Sequence, residues 1–148
     1  VDEVRPDAII NCAAWTAVDD CEADPERADR INHQGVGYLA EASAAVGAHL
    51  VQVSTDYVFD GTKSSAYTER DTPNPQSVYG ATKLAGERAA GPDATVVRTS
   101  WVCSAHGGNM VATILRLAEA HDRLSFVADQ RGNPTFTSDL ALAFANWP

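Results

Sequence analysis

The chain has 148 residues, 45% of them hydrophobic, and a formal net charge of -9. That length supports one domain with a core of its own. The acid excess argues against non-specific nucleic-acid binding, which needs a basic surface, and no apolar run is long enough to span a membrane.

The elements alternate along the chain. Ala8 to Cys12 is a short apolar run after Pro6-Asp7 and reads as a buried strand. Pro25 to Val46 carries a helical period, with Asp24 as N-cap, Pro25 at the first helical position and Gly47 as terminator. His49 to Val53 reads as the next strand, followed by an irregular polar stretch from Asp60 to Gln76. A helix from about Ser77 to Ala90 carries Tyr79 and Lys83 and stops at Gly91-Pro92; Ala94 to Arg98 is a third strand. Asn109 to Ala120 is amphipathic, with Met110, Ile114 and Leu117 on one face, and Leu124 to Ala128 reads as a fourth strand. Ser138 to Asn146 starts a last helix, capped by Thr137 or Ser138, which Ala145-Asn146-Trp147-Pro148 interrupts. With Val1 at the start in place of methionine, this end suggests a piece of a longer protein. Repeated strand, helix, strand order predicts an α/β fold with a doubly wound parallel sheet.

In such sheets ligands bind beyond the carboxyl ends of the strands. The residues there are Ala13-Ala14-Trp15, Ser54-Thr55-Asp56-Tyr57, Thr99-Ser100-Trp101 and Asp129 to Thr135. Trp15 and Trp101 read equally well as ordinary core aromatics.

The chemistry centres on Tyr79 and Lys83. Tyrosine has an ordinary pKa of about 10 and transfers protons reluctantly at neutral pH unless a nearby cation favours its anion. A lysine at i+4 lies on the same helix face, where its ammonium reaches both the phenol and a ligand's hydroxyls. Thr55 adds a hydroxyl that can hydrogen-bond a substrate oxygen, a set of groups suited to reducing a carbonyl or oxidising an alcohol. By itself the Tyr-Lys spacing is common.

Other signals are bland. Gly35-Val36-Gly37-Tyr38-Leu39-Ala40 matches a dinucleotide fingerprint formally but falls inside a helical run, and Gly35 is the first glycine of the chain. No phosphate-cradling turn therefore precedes the first strand. Cys12, Cys21 and Cys103 are odd in number, lack CxxC spacing and sit among core-like or helical residues, which suggests reduced thiols in a cytoplasm. His33, His49, His106 and His121 show no paired ligand spacing, and Asp19-Asp20 reads as helix N-terminal charge.

The series Ile10 to Asp19, Ser54 to Gly61, Tyr79 to Glu87, Arg98 to Val102 and Gln130 to Thr135 resembles the dTDP-4-dehydrorhamnose reductase family of extended short-chain dehydrogenases, in order and over nearly the whole chain. The resemblance implies a partial Rossmann-like, NAD(P)-binding domain over residues 1–148 that lacks its glycine-rich first part and has its substrate-binding end cut off. It implies NADPH- or NADH-dependent reduction of the C4 keto group of dTDP-4-dehydro-L-rhamnose. Tyr79 would be the catalytic acid, Lys83 would lower the Tyr79 pKa and hold the nicotinamide ribose, and Thr55 would polarise the keto oxygen. Ala13, Ala14, Trp15 and Val53 would line the cofactor; Val18, Asp56, Tyr57, Trp101 and Asn133 would meet the sugar nucleotide. Asn32 matches a helix asparagine of extended members and reads equally as an ordinary polar helix residue. Some relatives are associated with Mg2+, for which no residue here can be assigned. The expected partner is a dTDP-sugar, with neither nucleic acid nor membrane, and a homodimer is left open. The fragment alone is expected to be nearly inactive. Two alternatives remain: another nucleotide-sugar reductase or epimerase, and a non-catalytic subunit similar to the methionine adenosyltransferase regulatory beta subunit.

Overall fold

In the computed structural model, which describes residues 1–146, the strand β1 (Ala8–Asn11) runs parallel to β2 (His49–Thr55), with Ala8 opposite His49 and Asn11 opposite Gln52. β3 (Thr95–Thr99) lies on the other side of β2, giving the order β1-β2-β3. Trp147 and Pro148, part of the expected helix interruption, lie outside the described residues. The α/β fold class is as expected, and the chain divides into two compact units, Val1–Arg98 and Thr99 onward.

β2 extends two residues beyond its expected end, carrying the strand through Ser54 to Thr55. It is the middle strand, and its length follows from having neighbours on both sides. Between β1 and β2 the chain is helical almost throughout: α1 (Val18–Ala23), α2 (Pro25–Asp29), a π-helical turn (Arg30–Gln34) and α3 (Gly35–Val46). Asp24 caps as expected, accepting from the Arg27 backbone N–H at 3.0 Å. Gly47 ends the stretch in the left-handed region, φ 74°. The π turn is invisible to a period count because it displaces the helix by one residue without interrupting its apolar face. Gly35 and Gly37 lie in the helix, so the formal glycine fingerprint is spurious as expected.

α4 (Val78–Ala90) starts at Ser77, whose Oγ accepts from the Gly80 N–H at 3.0 Å, and ends at Gly91. It packs against β2, α3 and the π turn. Two small cores result. Val36, Leu50 and Ala90 join helices to sheet, with Ile9, Ala40 and Ala94 against them; Cys21, Ala28 and Tyr79 form the second, with Trp15, Val18 and Val78 against it. The polar stretch before α4 is ordered by two carboxylates: Asp60 accepts from Thr62, Tyr67 and Asn74, and Asp71 accepts from Thr68 and from Lys63 at 2.7 Å.

In the second unit, β4 (Val102–Cys103) pairs in parallel with β5 (Thr135–Phe136); α5 (Met110–Ala120) is capped by Asn109, and α6 (Thr137–Ala145) follows β5. Two expectations fail here. The N-cap of α6 is Phe136, with no side-chain cap, because Thr137 and Ser138 are already helical. Leu124 to Ala128 is not a strand, and Phe126 and Val127 are 55% and 69% exposed. An apolar run becomes a strand only where a neighbour accepts its backbone hydrogen bonds, and composition does not reveal the neighbour.

Candidate active site

The end of β2 delivers Val53, Ser54 and Thr55, and the buried face of α4 delivers Tyr79 and Lys83 to the same place. Tyr79 is 8% exposed and Lys83 4%. Lys83 Nζ donates to the Val53 carbonyl at 2.7 Å, which ties the lysine to the strand end. Thr55 accepts from the Tyr57 N–H at 3.2 Å, donates to Asp56 Oδ1 at 3.3 Å, and shares a side-chain hydrogen bond with Tyr79. The rings of Tyr57 and Tyr79 meet edge to face, centroids 5.5 Å apart. The sequence-expected trio is therefore gathered in one place.

The electrostatics differ from expectation in one respect. Burial pushes the Tyr79 phenol above its ordinary value, the Thr55 hydrogen bond opposes this, and Lys83 is not among the groups acting on it. Burial also pushes Lys83 down, opposed first by Glu87 and then by Cys12. Asp56 is raised by burial, with the Thr55 hydrogen bond pulling the other way. Desolvation disfavours whichever form is charged, so both proton-transfer partners shift toward neutrality.

Two glycines let α4 approach this closely. A Cβ on Gly80 would collide with the Tyr57 carbonyl, and one on Gly86 with the Asn32 carbonyl. Asn32 is fully buried in the π turn, where its Oδ1 accepts from the Trp15 N–H at 2.8 Å and its Nδ2 donates to the Trp15 carbonyl at 3.0 Å. A second bond from Nδ2, 3.3 Å to Thr82 Oγ1, links it to α4. Its reading as an ordinary polar helix residue is thus set aside: Asn32 shapes the segment after β1. Asn11 Oδ1 accepts from the Ala13 N–H at 3.1 Å, and the Trp15 ring lies under the Arg27 guanidinium at 4.4 Å. Ala13 is exposed; Ala14, Trp15 and Val18 are half-buried.

Trp101 and Asn133 belong to the second unit. Trp101 is 44% exposed, has φ 44°, and its indole lies against Gly132, so it is not a core aromatic. The Asn133 carbonyl accepts from Ser100 Oγ at 2.5 Å. The three cysteines are free; Cys12 is exposed, contrary to its core-like reading, because β1 ends at Asn11. Among the described residues no three His, Cys, Asp or Glu side chains converge as a metal site. No described helix is long and apolar enough to cross a membrane.

Sequence reasoning assigned no individual role to Ser54, Glu87 and Arg98: the half-buried Arg98 meets the buried Glu87 at 2.9 and 2.7 Å, and the buried Ser54 Oγ meets Glu87 at 2.5 Å. The available signal was an acid one turn beyond Lys83 on an otherwise buried helix face.

A parallel sheet flanked by helices, with tyrosine, lysine and threonine gathered beyond its middle strand, defines a Rossmann-like α/β protein of the extended short-chain dehydrogenase class. The family described as "RmlD substrate binding domain" matches residues 1–147, and the chain belongs to it. A dTDP-4-dehydrorhamnose reductase of Sinorhizobium fredii is 49% identical over 144 residues, 95% of this chain and 49% of that protein. The crystal structure of a dTDP-4-dehydrorhamnose reductase from Clostridium acetobutylicum superimposes with a TM-score of 0.93 at 48% identity, covering 97% of this chain and 52% of that one. One from Bacillus anthracis, in complex with NADP, gives a TM-score of 0.93 at 43% identity over 98% of this chain and 53% of that one. The chain spans about half the length of the curated relatives it matches.

Proposed function

We propose that this chain carries the proton-transfer segment of an NAD(P)H-dependent nucleotide-sugar reductase, which converts dTDP-4-dehydro-L-rhamnose to dTDP-L-rhamnose. The observation that carries the reading is the meeting of Tyr79, Lys83 and Thr55 at the end of β2. The relatives' names support the substrate class.

The residues present suit the nicotinamide end of a dinucleotide. Ala13 and Ala14 offer no side-chain bulk beyond Cβ, and Lys83 is a buried cation with three N–H donors, one of them held by the Val53 carbonyl. The cofactor, when bound, supplies the hydride that reaches C4 of the sugar. Tyr79 holds its proton at neutral pH because burial disfavours the phenolate, so it acts as the acid and delivers that proton to the C4 oxygen. The C4–O double bond becomes a C–H and an O–H, and solvent returns a proton to the phenol. Thr55 donates to the keto oxygen and positions it. Lys83, tied to the Val53 carbonyl, would hold the ribose hydroxyls. Val18, Asp56 and Tyr57 are assigned to substrate. The three unpaired thiols favour a cytoplasmic setting.

The test is Tyr79→Phe in a full-length enzyme that contains this segment. Turnover should fall about 10²- to 10⁴-fold while cofactor binding is retained. Undiminished turnover would overturn the reading and favour a binding role.

A further inference from the structure

Glu87 stands one turn beyond Lys83, so Tyr79, Lys83 and Glu87 fall at four-residue spacing along the buried face of α4. Its carboxylate is engaged by two residues. Arg98 donates from Nε to Oε1 at 2.9 Å and from Nη2 to Oε2 at 2.7 Å, and Ser54 Oγ donates to Oε1 at 2.5 Å. Ser54 sits between Val53, whose carbonyl holds Lys83, and Thr55. Burying the Glu87 carboxylate beside a half-buried guanidinium is costly, and an apolar residue could fill a helix-to-sheet contact without that desolvation. The proton transfer itself has no use for Glu87.

We propose that Glu87 is a positioning residue for the Tyr79, Lys83 and Thr55 group: held by Arg98, it fixes the end of β2 through Ser54 and supplies the negative charge that the buried ammonium of Lys83 faces along α4. Burial drives Lys83 toward its neutral form, and Glu87 is the strongest effect opposing this. Cys12, beyond β1, acts in the same sense, while Tyr79 lies a turn earlier on α4 and Arg98 approaches Glu87 from β3. Its purpose rests on the reductase reading; its test does not.

The chain contains two lysines, Lys63 and Lys83, so a carbon-13 label on the lysine side chains gives two titration curves, assigned with Lys63→Arg. In Glu87→Gln the Lys83 midpoint should move down while Lys63, paired with Asp71, stays put. Glu87→Asp should restore most of the shift. Arg98→Gln, which leaves Glu87 uncompensated, should move the midpoint up. A folded Glu87→Gln protein with an unchanged Lys83 midpoint would overturn the proposal. If that variant does not fold, Arg98→Gln decides, and no upward movement sinks it. Failure of the reductase reading would appear separately, as indifference of turnover to Tyr79→Phe.

Discussion

Asn32 holds both main-chain polar groups of Trp15, accepting from its N–H at 2.8 Å and donating to its carbonyl at 3.0 Å. A side chain in the π turn thus takes the place of a neighbouring strand for the residues just after β1. Asn32→Ala would take away the partner of the part-buried Trp15 N–H and leave its carbonyl only the weak Cys21 thiol donor at 3.7 Å, at about 1–3 kcal/mol. Urea denaturation should report that loss, and hydrogen exchange should show the Trp15 amide among the groups most accelerated. Unchanged protection there would refute the assignment.

The glycines of the helices predict opposite signs. Gly86→Ala places a methyl group against the Asn32 carbonyl, backbone that yields poorly, so it should destabilise by about 1–3 kcal/mol despite the better helix propensity of alanine. Gly37→Ala meets only the Ala89 Cβ at 3.9 Å, an ordinary contact, and should stabilise by up to about 1 kcal/mol. Paired denaturation curves check both signs at once.

Thr55 opposes the effect of burial on Tyr79. Thr55→Val should therefore move phenol ionisation higher still, seen as a later rise of the phenolate absorbance that disappears in Tyr79→Phe. A downward move would mean that Thr55 does not hydrogen-bond the phenol in solution.

The loop of residues 60–76 should resist acid. Hydrogen bonds from Thr62, Tyr67 and Asn74 hold Asp60 well below the usual carboxylate range, and Lys63 and Thr68 lower Asp71. Both folded values lie below the unfolded one, so the contribution is fully present above the unfolded value and is lost as pH falls through the folded values. Limited proteolysis should find the loop intact near pH 4, where free Asp is about half protonated, and cut only in stronger acid. Asp60→Asn should loosen it at neutral pH.

Within the second unit, Gly132 sits where a Cβ would lie 2.8 Å from Trp101 Nε1. Because the indole is a half-exposed side chain that can turn away, Gly132→Ala should change tryptophan fluorescence with little change in stability.

Much of the site was legible because its parts are local. Tyr79 and Lys83 share a helix whose Ser77 cap and Gly91 stop are both written in the chain, and Thr55 follows an apolar run. What stayed hidden depends on partners distant in sequence. The role of Asn32 appears only when a π turn meets residue 15, and Glu87 gains meaning only from Arg98 and Ser54. Leu124 to Ala128 shows the converse, a strand-like composition without a ladder.

The carbonyl oxygens of Tyr57 and Asn32 press on α4 at its two interior glycines. Side chains can swing aside, but peptide groups cannot, so the helix is gauged against main chain at two heights, one beside Tyr79 and one just past Lys83. Substitutions elsewhere around the centre can accumulate without rotating the phenol or the ammonium out of alignment.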